Sequence, residues 1–122
     1  MSVELNHTIV YARDKVAAAT FLADILGLPV GEPTGIFVPI QLNNGVTLDF
    51  ASSTDVRSQH LAFLISEGEF DAAFARIRAT GVDYFADPGH AQPGTINHRF
   101  GGRGVYFVDA DGHNLEILTN AR

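Results

Sequence analysis

The chain has 122 residues, of which 46% are hydrophobic and 18% charged, and its formal net charge is −6 at pH 7. This length suits one domain with a single core, and the composition is that of an ordinary globular protein. With 8 Lys and Arg residues in no basic stripe, the sequence argues against nucleic acid or an anionic membrane surface as a partner. The lack of cysteine excludes disulfides and thiolate metal sites.

The ends and the hydropathy of the chain favour a cytoplasmic protein. The first residues show no basic segment followed by an apolar one, so no secretory signal is predicted. The unbroken apolar runs are only a few residues long, which is too short to span a membrane. We therefore expect a partner that is a small molecule, with no membrane contact.

The first half of the sequence predicts a strand, a helix, a loop or edge strand, and a hairpin of two strands. In chain order these are residues 3–10, 14–26, 29–35, 36–42 and 46–51. The helix has apolar side chains at helical spacing and is followed by Gly27, a residue type that commonly ends helices. The hairpin turn contains Asn44 and Gly45, which tolerate the positive φ that tight turns require.

The second half predicts the same series of elements. In chain order these are a strand, a helix, a short strand and a hairpin, at residues 58–65, 66–80, 82–85, 105–108 and 113–119. Ser66 and Glu69 match the capping box that begins many helices, and Gly81 follows the helix as Gly27 follows the first.

An internal repeat relates the two halves. His7 and His60 are 53 residues apart and Gly27 and Gly81 are 54 apart, whereas Asp49 aligns with Glu116 at an offset of 67. The growing offset places about 13 extra residues in the second copy, within residues 86–103, a segment that we call the insertion. We therefore predict an α+β fold in one domain, residues 1–122, built from two βαβββ modules at residues 1–54 and 55–122. The strands would form a curved mixed sheet with the helices on its convex side.

The repeat singles out two histidines and two carboxylates. Asp49 and Glu116 each interrupt an apolar strand, where a carboxylate needs a partner or water. Their equivalent positions, and those of His7 and His60, suggest that all four converge on one site. Two His and a carboxylate suit Zn, Fe(II), Mn, Co or Ni and leave coordination positions open. The alternative is that each is an ordinary polar residue, bonded within its strand or facing solvent.

The sequence resembles the vicinal oxygen chelate superfamily, which includes glyoxalases, extradiol dioxygenases, fosfomycin-modifying enzymes and bleomycin resistance proteins. The resemblance covers nearly the whole chain and is carried by residues 5–8 (LNHT), 26–29 (LGLP), 59–63 (QHLAF) and 104–117 (GVYFVDADGHNLEI). The last segment is similar to the family pattern Y-F-x-D-P-D-G-x-x-x-E, with Ala110 in place of the usual proline.

The resemblance implies both a fold and a set of ligands. It implies that His7, His60 and Glu116 are metal ligands, with Asp49 where glyoxalase I has a glutamate as fourth ligand. Because Asp is one methylene shorter, Asp49 would act as a fourth ligand, through a water, or as a base, and Asp49 and Glu116 are the predicted catalytic residues. The resemblance also implies a homodimer, with the site formed within one chain or across a swapped dimer.

The resemblance leaves two functions open. The first is a divalent-metal-dependent enzyme, of the lyase, isomerase or dioxygenase type, whose small oxygen-bearing substrate is chelated to the metal. The second is a metal-free protein that sequesters an aromatic antibiotic or natural product, as bleomycin resistance proteins do, with Phe50, Phe63 and Tyr106 among the aromatic wall residues.

The insertion supplies the remaining candidates. Long loops on a scaffold often bind ligands, so we expect Asn97, His98, Arg99 and Arg103 to contact the ligand. The alternative is that the insertion is a solvated loop. We expect His90 to be solvated, and His113 to be a structural residue on the face opposite Glu116.

Overall fold

The computed structural model describes residues 1–121, and this part of the chain contains seven strands, two α-helices and a short 3-10 helix at Arg99–Gly101. They are β1 His7–Ala12, α1 Lys15–Leu26, β2 Val38–Gln41, β3 Thr47–Ser52, β4 His60–Leu64, α2 Glu67–Thr80, β5 Tyr84–Phe85, β6 Gly104–Val108 and β7 Asn114–Leu118. The chain forms two compact units, Met1–Arg57 and a second that begins at Ser58. Each unit has one helix and one mixed sheet, which confirms the predicted α+β class. Neither helix is long and apolar enough to cross a membrane.

In the first unit, local sequence sets the ends of α1 and alternation sets the core. Asp14 begins the helix because its carboxylate accepts hydrogen bonds from two free backbone N–H groups, and Gly27 ends it at φ 71°. The sheet order is β1-β3-β2, with β1 parallel and β2 antiparallel to β3. Alternate residues of these strands, including Val10, Ile40 and Phe50, form the buried face.

The second unit repeats this topology with one more strand. Its sheet order is β4-β7-β6-β5, with β4 parallel to β7 and the other pairs antiparallel. The predicted capping box is present, since Ser66 and Glu69 bond to each other's backbone N–H, and Gly81 ends α2 at φ 78°. Phe74 of α2 packs edge-on against Tyr84 at 5.2 Å, so α2 covers the face that holds Tyr84 and its neighbour Phe107.

The strand register shows that the repeat is a structural one. In the first unit Asp49 pairs with Ile9, two residues after His7. In the second, Glu116 pairs with Ala62, two residues after His60. Each carboxylate therefore lies at the same place relative to the histidine of its own unit.

The structure refines the predicted pattern of the first unit in two places. Residues 29–35 form no regular strand, because Pro29 and Pro33 have no N–H to donate to a ladder. Their contact with β2 includes one backbone hydrogen bond of 2.8 Å, from Gly31 N to Pro39 O. Strand β1 begins at His7 rather than at residue 3, since its partner β3 begins at Thr47, opposite His7.

Acid should destabilise the second unit through two carboxylates of α2. Hydrogen bonds from the Thr119 hydroxyl and the Arg103 guanidinium hold the pKa of Glu67 below its ordinary 4.5, and the backbone N–H of Ser66 lowers the pKa of Glu69. A pKa that is lower in the folded state stabilises the fold above about pH 4.5, and this stabilisation is lost as the pH falls through the lowered pKa. We expect the midpoint temperature of thermal unfolding to decrease as the pH is lowered below about 4.5. The decrease should be smaller in a Glu67→Gln, Glu69→Gln double variant.

Two glycines near the start of α2 and β6 should respond oppositely to alanine. A Cβ on the buried Gly102 would collide with the Thr119 hydroxyl, so we expect Gly102→Ala to destabilise the fold by about 1–3 kcal/mol. Gly68 lies in α2 with open space around the position of a Cβ, so Gly68→Ala should stabilise by about 0.5–1 kcal/mol. Urea unfolding of both variants measures the difference, and equal effects would contradict the structure.

Candidate functional site

The candidate site of the second unit lies on the face of its sheet opposite α2, which we call the helix-free face. Because side chains alternate along strands, the register places on this face His60, Ala62, Phe85, Tyr106, Asn114 and Glu116. The middle strands bring Glu116 directly beside Tyr106, with Phe85 one strand further.

His60 and Glu116 form the centre of this face. Nε2 of His60 lies 3.2 Å from Oε1 of Glu116, with 46% of the His60 side chain and 11% of the Glu116 side chain exposed. Nδ1 of His60 lies 3.1 Å from the backbone carbonyl of Asn114. A carbonyl oxygen only accepts, so Nδ1 carries the hydrogen of the neutral ring and Nε2 presents its lone pair toward the carboxylate.

This donor arrangement fits two ligands of a divalent metal ion. Cis ligands at ordinary bond lengths to an octahedral ion lie about 3 Å apart, close to the separation of the two atoms here. Metal-binding histidines usually donate their second ring N–H to a carbonyl or carboxylate, as His60 does to Asn114. Without a metal the two groups form an ion pair when both nitrogens of the His60 ring carry hydrogen.

Tyr106 packs against the His60 ring. The two ring centroids are 5.8 Å apart and the planes differ by 26°, and the tyrosine is 6% exposed. The contact restricts how the His60 ring can turn, so Tyr106 helps to position that ring.

The first unit holds the equivalent pair, His7 and Asp49. Both lie on the face of their sheet opposite the buried one, because Asp49 pairs with Ile9 and Ile9 shares a face with His7. His7 is exposed and Asp49 half-buried. Nδ1 of His7 lies 2.8 Å from the amide oxygen of the Asn6 side chain, which again assigns the hydrogen to Nδ1 and a lone pair to Nε2.

The four predicted site residues thus form two pairs, one in each unit. Within residues 1–121, no group of three or more His, Asp or Glu side chains is close enough to hold a metal ion. His60 and Glu116 are brought into contact, and His7 and Asp49 share a sheet face.

Three of the residues predicted to contact a ligand make structural contacts. Phe50 and Phe63 are 1% and 8% exposed on the helix-covered faces of their sheets, where alternation places them in the cores. Arg103 donates to Glu67 at 2.7 Å and to Asp71 at 2.8 Å, and its guanidinium lies 4.5 Å above the Phe70 ring. Arg103 therefore ties the end of the insertion to α2.

Two other predicted residues of the insertion differ in their surroundings. Asn97 exchanges two backbone hydrogen bonds with Gly104, and its amide donates to the carbonyl of Ala86 at 2.8 Å, so it pins the insertion to the sheet. His98 is exposed beside it.

Sequence reasoning missed His90, which was expected to be solvated. Its ring stacks on Phe85 with the centroids 4.1 Å apart and the planes at 8°. Its Nε2 lies 2.9 Å from the side-chain oxygen of Asn114. The Asp87 carboxylate, which closes the turn beneath it, was the available signal in the sequence, since Asp commonly caps turns.

The chain belongs to the Glyoxalase/Bleomycin resistance protein/Dioxygenase superfamily, whose family model matches residues 4–117. The predicted family and fold class are therefore confirmed. The solved structures described as Oxidase ChaP-H2 and Oxidase ChaP-H1 are each 57% identical to the chain, with TM-scores of 0.97 and 0.96. The first alignment covers 99% of this chain and 96% of that one, and the second 98% of both.

A curated relative matches over a shorter length. Metallothiol transferase FosB of Shouchella clausii (strain KSM-K16) is 37% identical over 60 residues, which is 49% of this chain. The matched region spans 37% of the FosB protein, well under half of its length.

Proposed function

We propose that this protein is a metal-dependent oxidase acting on a small molecule that binds the metal through neighbouring oxygen atoms. The observation that carries the proposal is the 3.2 Å approach of His60 Nε2 to Glu116 Oε1, with the other ring nitrogen of His60 held by Asn114. The two oxidases at 57% identity over nearly the whole chain support the oxidase activity, and the name of FosB, a metallothiol transferase, supports the metal.

His7, His60 and Glu116 would hold the metal, and Asp49 would be a fourth ligand or a base beside it. A bound divalent ion would act as a Lewis acid on the substrate oxygens. The protein groups do the positioning: Asn114 fixes the His60 ring by its carbonyl, and Tyr106 packs against the same ring. His7 keeps an equivalent arrangement through Asn6.

The alternative function is metal-free sequestration of an aromatic natural product. It is favoured by the rings of the helix-free face, where Tyr106 stacks on His60 and Phe85 stacks on His90. Such a protein would bind a polycyclic compound tightly with no metal and no turnover.

Metal content and oxygen uptake separate the two functions. Protein purified without chelator should contain one divalent ion per chain, and after loading with Fe(II) it should consume oxygen in the presence of catechols. His60→Ala should lose the metal, whereas His98→Ala, the same change at an exposed histidine, should keep it. Metal-free wild-type protein, with ligand binding unaffected by His60→Ala, would refute the enzyme and favour sequestration.

Mixing two inactive variants tests whether the ligands come from one chain or two. In a homodimer whose sites combine His7 of one copy with His60 of the other, His7→Ala and His60→Ala chains refolded together regain one intact site per mixed dimer. Metal binding should then return in the mixture although each variant alone lacks it. If each site belongs to one chain, mixing restores nothing.

A further inference from the structure

His90 lies over the helix-free face that holds His60 and Glu116. It contacts Phe85 by ring stacking and Asn114 by a hydrogen bond, and both partners project from that face. Phe85 pairs with Tyr106, which in turn pairs with Glu116, and Asn114 pairs with His60. The histidine therefore spans the face at the edge of the candidate site.

The backbone of His90 is held in a conformation that residues other than glycine rarely adopt. Its φ is 61°, in the left-handed region. The Asp87 carboxylate enforces the turn by accepting from Ala91 N at 2.9 Å and Gln92 N at 2.8 Å, and these donors lower the pKa of Asp87. Strained backbone that its surroundings hold in place is found most often at functional sites.

The hydrogen bonds of Asn114 determine which nitrogen of His90 carries hydrogen. The Asn114 amide nitrogen donates to the carbonyl of Pro88 at 3.2 Å, so its oxygen is the atom that faces His90. Nε2 of His90 must then donate, and Nδ1 of the neutral ring keeps a lone pair. Nδ1 takes part in none of the hydrogen bonds that His90 makes within residues 1–121.

We propose that His90 accepts a hydrogen bond from the substrate through Nδ1, and that the site thereby selects small aromatic compounds with a hydroxyl beyond the oxygens that chelate the metal. The aromatic character follows from the rings of Phe85, His90 and Tyr106 around the site. This inference rests on the proposed function, because the substrate must first bind at His60 and Glu116.

Two probes that share a chelating pair of hydroxyls test the proposal. Pyrogallol carries a third hydroxyl where 3-methylcatechol carries a methyl group, and both can bind zinc-loaded protein without being oxidised in the absence of air. Calorimetric titration measures how much more tightly each protein binds pyrogallol than 3-methylcatechol. This ratio of affinities should be about 10-fold larger for wild-type protein than for His90→Phe or His90→Asn. His90→Phe keeps a ring against Phe85, and His90→Asn suits the positive φ, so each controls for a different structural loss.

Two further readouts separate binding from folding. Zinc affinity should be unchanged in both variants, because His90 is not a proposed ligand, and the ¹⁵N resonance of His90 Nδ1 should move when pyrogallol binds. An equal preference in wild type and variants, or an unmoved resonance, would overturn the role of His90 alone. If zinc-loaded wild-type protein binds neither probe, the proposed function falls and this inference falls with it.

Discussion

Glu116→Gln is expected to lower the affinity for a divalent metal by about 100-fold or more, since it removes the negative charge of the carboxylate that contacts His60. Gln has nearly the same shape as Glu, so the change isolates the charge. The amide keeps an oxygen near Nε2 of His60, but a neutral amide oxygen is a much weaker ligand than a carboxylate. Titration of metal against a competing chromophoric chelator measures the loss.

The matched control is Glu32→Gln, which neutralises an exposed carboxylate in the loop before β2. It should bind metal as the wild type does. Unchanged affinity in Glu116→Gln would contradict a metal at this site and leave the pair a structural hydrogen bond.

Asp49→Asn extends the comparison to the equivalent position of the first unit. If Asp49 is a fourth ligand, metal affinity falls as it does for Glu116→Gln. If it is a base, metal affinity stays and oxygen uptake falls. If neither metal affinity nor oxygen uptake falls, Asp49 is not part of the site.

His113→Ala is expected to destabilise the protein by about 3–5 kcal/mol, the largest stability effect that we predict. His113 is fully buried, and its Nδ1 accepts a 2.9 Å hydrogen bond from the backbone N–H of Gln59, next to His60. Truncation leaves both a cavity and a backbone donor without its partner. The burial agrees with the structural role expected for this residue.

His113→Asn is the matched variant, because its side-chain oxygen lies near the position of Nδ1 and can accept from Gln59. It should recover part of the lost free energy of unfolding in urea. Equal destabilisation by Ala and Asn would show that the packed ring matters and that the hydrogen bond to Gln59 does not.

The repeat made much of the fold predictable. Alternation along short apolar strands requires Asp49 and Glu116 to share a face with the histidine of the neighbouring strand, and the registers place them so. The caps at Gly27, Ser66 and Gly81 follow from local chemistry that a sequence displays directly.

Contacts distant along the chain were not predictable in this way. Arg103 finds its partner Glu67 at a separation of 36 residues, and His90 finds Asn114 at 24. No periodicity connects such residues, since they meet only after the insertion has folded against the sheet. The sequence therefore located the insertion, but the contacts that His90 and Arg103 make are set only by the folded chain.

The bracing of the insertion at both ends has a consequence for how a ligand binds. Asp87 closes its first turn, and Arg103 ties its last residues to α2. Ordering such a loop costs conformational entropy, and here that cost falls at folding rather than at ligand binding. A ligand that binds beside the insertion would therefore meet a surface that is already formed, so its association should be rapid and its affinity undiminished by ordering of this loop.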